Sequence, residues 1–234
     1  MELARTSWNS ADYIEFINYL QSLSDEKYKE FNSRIIPDTP HFFGIRIPAL
    51  RDIAKKISKG NADEFLSLEK GDFHEEIIID GLVRAGRKSS YEQMKEDMVI
   101  FSQRIYNWAI CDTVSFKGIK KYIPEFWADK DIFIKSGNPW QVRFGLGVLM
   151  NFYLTDEYID EVLKITENVK SDFYYVNMMQ AWLIATAAAK QRDKTIEFLK
   201  KSSLDDTVFK MTVRKVTDSY RISKEDKILI KGIR

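Results

Sequence analysis

Asp172-Phe173-Tyr174-Tyr175-Val176-Asn177-Met178-Met179-Gln180-Ala181-Trp182-Leu183-Ile184-Ala185-Thr186-Ala187-Ala188-Ala189-Lys190 carries no charge between its two ends. A stretch of this length and composition is a helix apolar nearly all round, which needs neighbours on more than one side. It is one of a series. Hydrophobic helices are expected to begin near Asp72, Trp108, Pro139, Asp172 and Asp205, in steps of 36, 31, 33 and 33 residues. More polar helices fill the intervals, at about 90–105, 125–135, 156–169, 191–201 and 224–233. Two antiparallel helices per period cannot bury an apolar face alone but can stack on their neighbours. The expected fold class is therefore all-α, an α-α superhelix of helix pairs, with residues 1–234 as a single domain.

The segments before the repeat are also helical. Ser10 can cap an amphipathic helix at 12–23, and Asp25 can cap a second that runs to about Ile36, where Pro37 and Pro40 stop it. Pro48 suits the first position of the next helix, since the N–H it lacks has no partner there in any case. The Ile77-Ile78-Ile79 run reads as helix rather than strand, with Glu75, Glu76 and Asp80 around it.

Composition narrows the function. The 234 residues are 44% hydrophobic with 15 Phe, ample for a core. Lys and Arg number 36 against 35 acids, so attraction to nucleic acid has to come from local clusters. One Cys, Cys111, excludes an internal disulfide, and two His with one Cys give no metal-ligand spacing. No secretory or membrane-spanning segment is evident, and a cytoplasmic setting is the expectation.

Three groups of residues suggest chemistry. In Asn107-Trp108-Ala109-Ile110-Cys111-Asp112, helical spacing puts an indole and a carboxylate on one face, with room for a cation; a packed Trp beside a solvated or capping Asp is the plainer alternative. Arg143 is the single charge in the apolar stretch 139–150, and its tip needs water or an anion, with phosphate and Asp112 as candidates. Finally, residues 208–234 hold eight Lys or Arg and three acids, with Lys210, Arg214 and Arg221 expected on one face. Smaller clusters occur at Arg84, Arg87 and Lys88 and at Lys117, Lys120 and Lys121. Repeated along a solenoid, such clusters could track a phosphate backbone; each also fits a cation favoured at a helix C-terminus.

Taken in order, Phe43-Gly44-Ile45-Arg46-Ile47-Pro48-Ala49-Leu50-Arg51, Asn107-Trp108-x-x-x-Asp112, Trp140-x-x-Arg143, Trp182 within 176–190, and Val213-Arg214-Lys215-x-x-x-Ser219-Tyr220-Arg221-Ile222 resemble the bacterial AlkD-like DNA alkylation repair family. The resemblance spans nearly the whole chain. It implies a HEAT-like solenoid that binds duplex DNA as a monomer, without cofactor or metal. It further implies a monofunctional glycosylase excising positively charged alkylpurines such as 3-methyladenine and 7-methylguanine. By residue matching, Trp108, Asp112, Trp182 and Arg143 are the catalytic candidates. The DNA contacts expected are Arg46, Arg51, Arg214 and Lys215, with Lys210 from the basic cluster. Two departures, Met178 in place of a lysine and the balanced charge of residues 25–36, keep open a non-catalytic scaffold for branched or distorted DNA or for a protein partner.

Overall fold

The computed structural model describes residues 1–36 and 39–234. Among them there are helices and no strand, packed on one another as an α-α solenoid requires, so the fold class is the expected one. The chain divides into two compact units, Met1–Phe126 and Trp127–Arg234.

The first unit contains α1 (Ser10–Ser22), α2 (Glu26–Ile35), α3 (Ile47–Ile57), α4 (Ala62–Ser67), α5 (His74–Gly86), α6 (Tyr91–Gln103), α7 (Trp108–Thr113) and a 3-10 turn (Lys117–Lys121). Asn9, not Ser10, caps α1: its side chain accepts from the N–H groups of Ala11 and Asp12, and the Asp12 carboxylate answers from the N–H of Asn9. This reciprocal pair satisfies more backbone donors than a serine at the next position could. Asp25 caps α2 as expected. Pro37, expected to end that helix, lies outside the described residues. Pro48 takes the second rather than the first position of α3.

Helix α5 is the hub of this unit, packed by α3, α4, α6, α7 and the 3-10 turn. Encirclement explains how three successive isoleucines are all buried. Gly81 permits the closest approach, since a Cβ there would lie 2.4 Å from the Phe101 ring. Polar residues flanking the isoleucines are buried too, contrary to the solvated boundary their type suggests. Asp80 pairs with Arg84 at 2.7 Å and with Lys70 at 3.4 Å, and Asp97 of α6 bridges Arg84 at 2.8 Å and Arg87 at 2.7 Å. Arg84 and Arg87 thus close an internal network, and of the two readings open for this cluster the geometry supports a structural one: both guanidinium groups already hold carboxylates.

Glu75 does related work for a loop. Its two oxygens accept the backbone N–H groups of Phe43, Gly44 and Ile45 at 3.0, 2.7 and 3.0 Å. Burial still pushes its carboxyl above the usual range, with these hydrogen bonds opposing. Gly44 is required in that loop, because its φ of +88° is left-handed.

The second unit continues with α9 (Asp131–Ile134), α10 (Pro139–Phe152), α11 (Ile159–Asn168), α12 (Tyr174–Lys190), α13 (Arg192–Lys201), α14 (Asp206–Asp218) and α15 (Lys224–Lys231); α8 (Ile123–Asp129) precedes α9. The polar helix expected at 125–135 is thereby divided at Lys130. The uncharged stretch 172–190 becomes α12, the hub of this unit, with α10 and α14 on its flanks and α11 and α13 also touching it. Gln180, buried in α12, donates to the carbonyls of Thr166 and Val169 at 2.7 and 3.0 Å and so fastens the end of α11. Among the described residues, no helix is long and apolar enough to cross a membrane.

Candidate nucleic-acid interface and active site

In the first unit the site is built around α7. Asn107 accepts the N–H of Ile110 at 2.9 Å, donates to the Thr39 hydroxyl at 3.2 Å, and lies 3.2 Å from Nδ1 of His74. Burial lowers the His74 pKa from 6.5 to about 4, so its imidazole is neutral near pH 7. A neutral ring with its proton on Nε2 accepts at Nδ1 from the Asn107 amide, which fixes the tautomer. The start of α7 is therefore locked from three directions.

Trp108 occupies the first turn of α7, half-buried, and its indole N–H donates to the Ile35 carbonyl at the end of α2, at 3.3 Å. Asp112, one turn later on the same helix, is exposed. The pair expected from the sequence spacing thus shares one short helix, with the indole edge tied and Asp112 an exposed residue. Arg51 of α3 donates to the Thr113 carbonyl at 3.2 Å and braces the far end of α7. Arg46 is already engaged: it pairs with Asp25 at 3.2 Å and lies 4.6 Å above the Tyr28 ring. The Tyr28 N–H, and then Arg46, hold the Asp25 carboxyl below its usual range.

In the second unit, Arg143 of α10 is buried, and its Nη1 donates to the Tyr175 carbonyl at 2.7 Å. Its guanidinium carbon sits 5.9 Å from the centre of the Tyr175 ring. Trp140 packs 5.1 Å from both Phe173 and Tyr175, so an aromatic cluster surrounds the first turn of α12. Along α12, Tyr175, Met178 and Trp182 recur at helical spacing, and all three are half-buried. The Nζ of Lys215, on α14, lies 6.0 Å from the centre of the Trp182 ring.

Lys210 and Arg214 are exposed on α14, and among the described residues no ion pair engages either of them or Lys215. Arg221 was expected on the same face; α14 ends at Asp218 with its cap at Ser219, so Arg221 falls in the following turn instead. A cavity of about 760 Å³ in this unit, between the starts of α9 and α10 and the end of α11, is lined by residues such as Trp127, Lys135, Val142, Ile165 and Lys170 and includes none of the site residues expected from sequence. Among the described residues, no three His, Cys, Asp or Glu side chains gather as a metal-binding group.

Sequence reasoning missed the carbonyls that hold the site side chains. Ile35 for Trp108, Tyr175 for Arg143 and Thr113 for Arg51 act through the backbone, which residue type does not reveal. The His74–Asn107 contact had one visible signal, a histidine at the head of the apolar stretch that begins near Asp72.

The family model described as DNA alkylation repair enzyme matches residues 16–216. The chain belongs to that family. The match takes in α7, α10, α12 and nearly all of α14, the helices that carry Trp108, Asp112, Arg143, Trp182 and Lys215. Membership in the DNA alkylation repair enzyme family assigns the chain an enzyme role in alkylation repair, with DNA as the implied partner. No protein of curated function matches the chain.

Proposed function

We propose that this DNA alkylation repair protein is a monofunctional glycosylase that removes positively charged alkylpurines, such as 3-methyladenine and 7-methylguanine, from duplex DNA, acting as a monomer. The observation that carries the reading is the Trp108–Asp112 pair: an indole tied at its edge and an acidic residue one turn away on a helix locked at both ends. In the reaction the C1′–N bond breaks with its electron pair going to the purine, whose positive charge is thereby neutralised. The deoxyribose takes up that charge as an oxocarbenium-like ion. A carboxylate opposite this charge, with the π-face of Trp108, stabilises what forms in the transition state. Two unit charges 4 Å apart in an effective dielectric near 20 attract by about 4 kcal/mol, roughly three decades in rate. That suffices for a base already primed to leave, so no general acid is needed. Water then adds to C1′ and loses its proton, and Asp112 is assigned the task of orienting it. By the family resemblance, Trp182 is an aromatic wall against the nucleotide and Arg143 a further catalytic candidate, with Lys210, Arg214 and Lys215 on the DNA backbone.

A second reading has its own support. Arg46, Arg84 and Arg87 are committed to carboxylates, which leaves the first unit with fewer cations for DNA than its sequence suggests. Weaker duplex binding of this kind favours the alternative of a non-catalytic scaffold, for branched or distorted DNA or for a protein partner. Incubation of the protein with methylated duplex at low salt, in excess over substrate, separates the two. Release of 3-methyladenine or 7-methylguanine above the spontaneous rate supports the glycosylase; binding without release supports the scaffold.

A further inference from the structure

Three neighbouring cations on α14 differ in their surroundings. Lys210 and Arg214 are exposed, whereas Lys215 is half-buried with its ammonium 6.0 Å from the centre of the Trp182 indole. An ammonium is strongly hydrated, and withdrawing it from water is unfavourable unless an anion or a π-face compensates. Here the π-face is present and a carboxylate is not: among the described residues no ion pair reaches Lys215, and exposed Asp218, three residues on, does not form one. The helix that faces it adds no charge, because α12 is uncharged before Lys190. Met178, one turn before Trp182 on α12, adds no charge beside the indole.

We infer that Trp182 and Lys215 form one subsite for a single nucleotide of duplex DNA, in which the indole face receives the deoxyribose and Lys215 receives the phosphodiester attached to it. The separation suits this division. An ammonium donates to a phosphate oxygen at about 2.8 Å, and a sugar adjoining that phosphate then falls over a ring whose centre is 6.0 Å from the ammonium. The assignment rests on the proposed role of Trp182 as a wall of the nucleotide site. It separates Lys215 from Lys210 and Arg214, which contact the backbone elsewhere and carry no information about the lesion. Since the phosphate keeps its charge throughout the reaction, Lys215 contributes equally to ground state and transition state, so its loss raises KM and leaves kcat in place.

The test is a binding cycle on a non-cleavable duplex carrying one tetrahydrofuran abasic analogue. Matched duplexes replace the phosphate on its 5′ or its 3′ side with a neutral methylphosphonate. Lys215→Ala is expected to weaken binding to the all-phosphate duplex roughly tenfold. One of the two methylphosphonates should weaken wild type by a similar factor and weaken Lys215→Ala no further, while Lys215→Arg stays within about twofold of wild type. Lys210→Ala serves as the remote control and should add its full loss on every duplex. Additive losses for Lys215→Ala on both methylphosphonate duplexes overturn the inference, as does a wild type that binds all three duplexes equally. The wild-type comparison holds even if the alanine variant folds poorly. A cycle that closes on a protein releasing no alkylated base leaves the subsite standing and rejects only the glycosylase reading.

Discussion

The two hub helices, α5 and α12, occupy the same position in their units and are built from opposite materials. Half of what α5 buries is polar or charged, His74, Glu75, Glu76, Asp80 and Arg84 among the isoleucines. Helix α12 buries mainly Ala, Leu, Ile and Val, with Gln180 and Thr186 as the polar exceptions. The difference shows in where the cations go. Around α5 they turn inward, onto Asp80 and Asp97. Around α12 there is no buried carboxylate to draw them in, and Lys210, Arg214 and Lys215 stay without an ion pair among the described residues. A helix-end arginine is thus drawn inward where the helix it faces carries buried acids.

The contrast breaks most sharply at Asp97. Replacing it with Ala leaves two guanidinium groups facing a buried gap, and removal of one member of such a network costs about 3–5 kcal/mol. Urea denaturation should show that loss, against a change within about 0.5 kcal/mol for Arg214→Ala. A loss below about 1 kcal/mol for Asp97→Ala contradicts the description of the first unit as held by internal charge.

His74 sharpens the same comparison through pH. Its folded pKa of about 4 lies below the ordinary 6.5, so between those values the unfolded chain binds the proton and the folded one does not. The favourable neutral form is thus fully present above pH 6.5, and stability falls as pH drops toward 4, by up to about 3 kcal/mol. Glu75 and Glu76, raised by burial, act in the opposite sense, since the folded state holds their protons more firmly. The difference between wild type and His74→Gln isolates the histidine: their stability gap should narrow steadily from pH 7 to pH 4. A constant gap means that His74 takes up its proton as readily in the folded chain as in the unfolded one.

Smaller still is the effect expected on α14. Arg214→Ala should reduce the log–log slope of duplex affinity against salt by about one. Arg46→Ala should change it less, because Asp25 already compensates that charge. Equal changes at both positions erase the distinction between the two regions.

These outcomes also show why the sequence was legible in part. Periodicity gave the helices and their pairing because it depends on which positions are apolar, and that property is carried by each residue alone. It placed α12 and α14 within a residue or two. Charge could not be read in the same way. An arginine at the end of α5 and one on α14 look alike in sequence; only the packing of α6 against α5, which brings Asp97 to Arg84 and Arg87, separates them. The Trp108–Asp112 pair was visible because both residues lie on one helix, where spacing determines direction. Lys215 at Trp182 was not, since that contact joins two helices at a register that spacing within either one leaves undetermined.

Asp112 offers the most direct trial of the whole account. Asp112→Asn keeps the shape and the hydrogen-bonding capacity and deletes only the negative charge. Under single-turnover conditions on duplex containing 7-methylguanine, base release should fall roughly a hundredfold or more relative to wild type, after discounting the Coulomb attraction for the exposure of the carboxylate. Affinity for undamaged duplex should be equal or slightly tighter, because a carboxylate repels phosphates. Base release by Asp112→Asn at the wild-type rate, or none by wild type itself, contradicts the account.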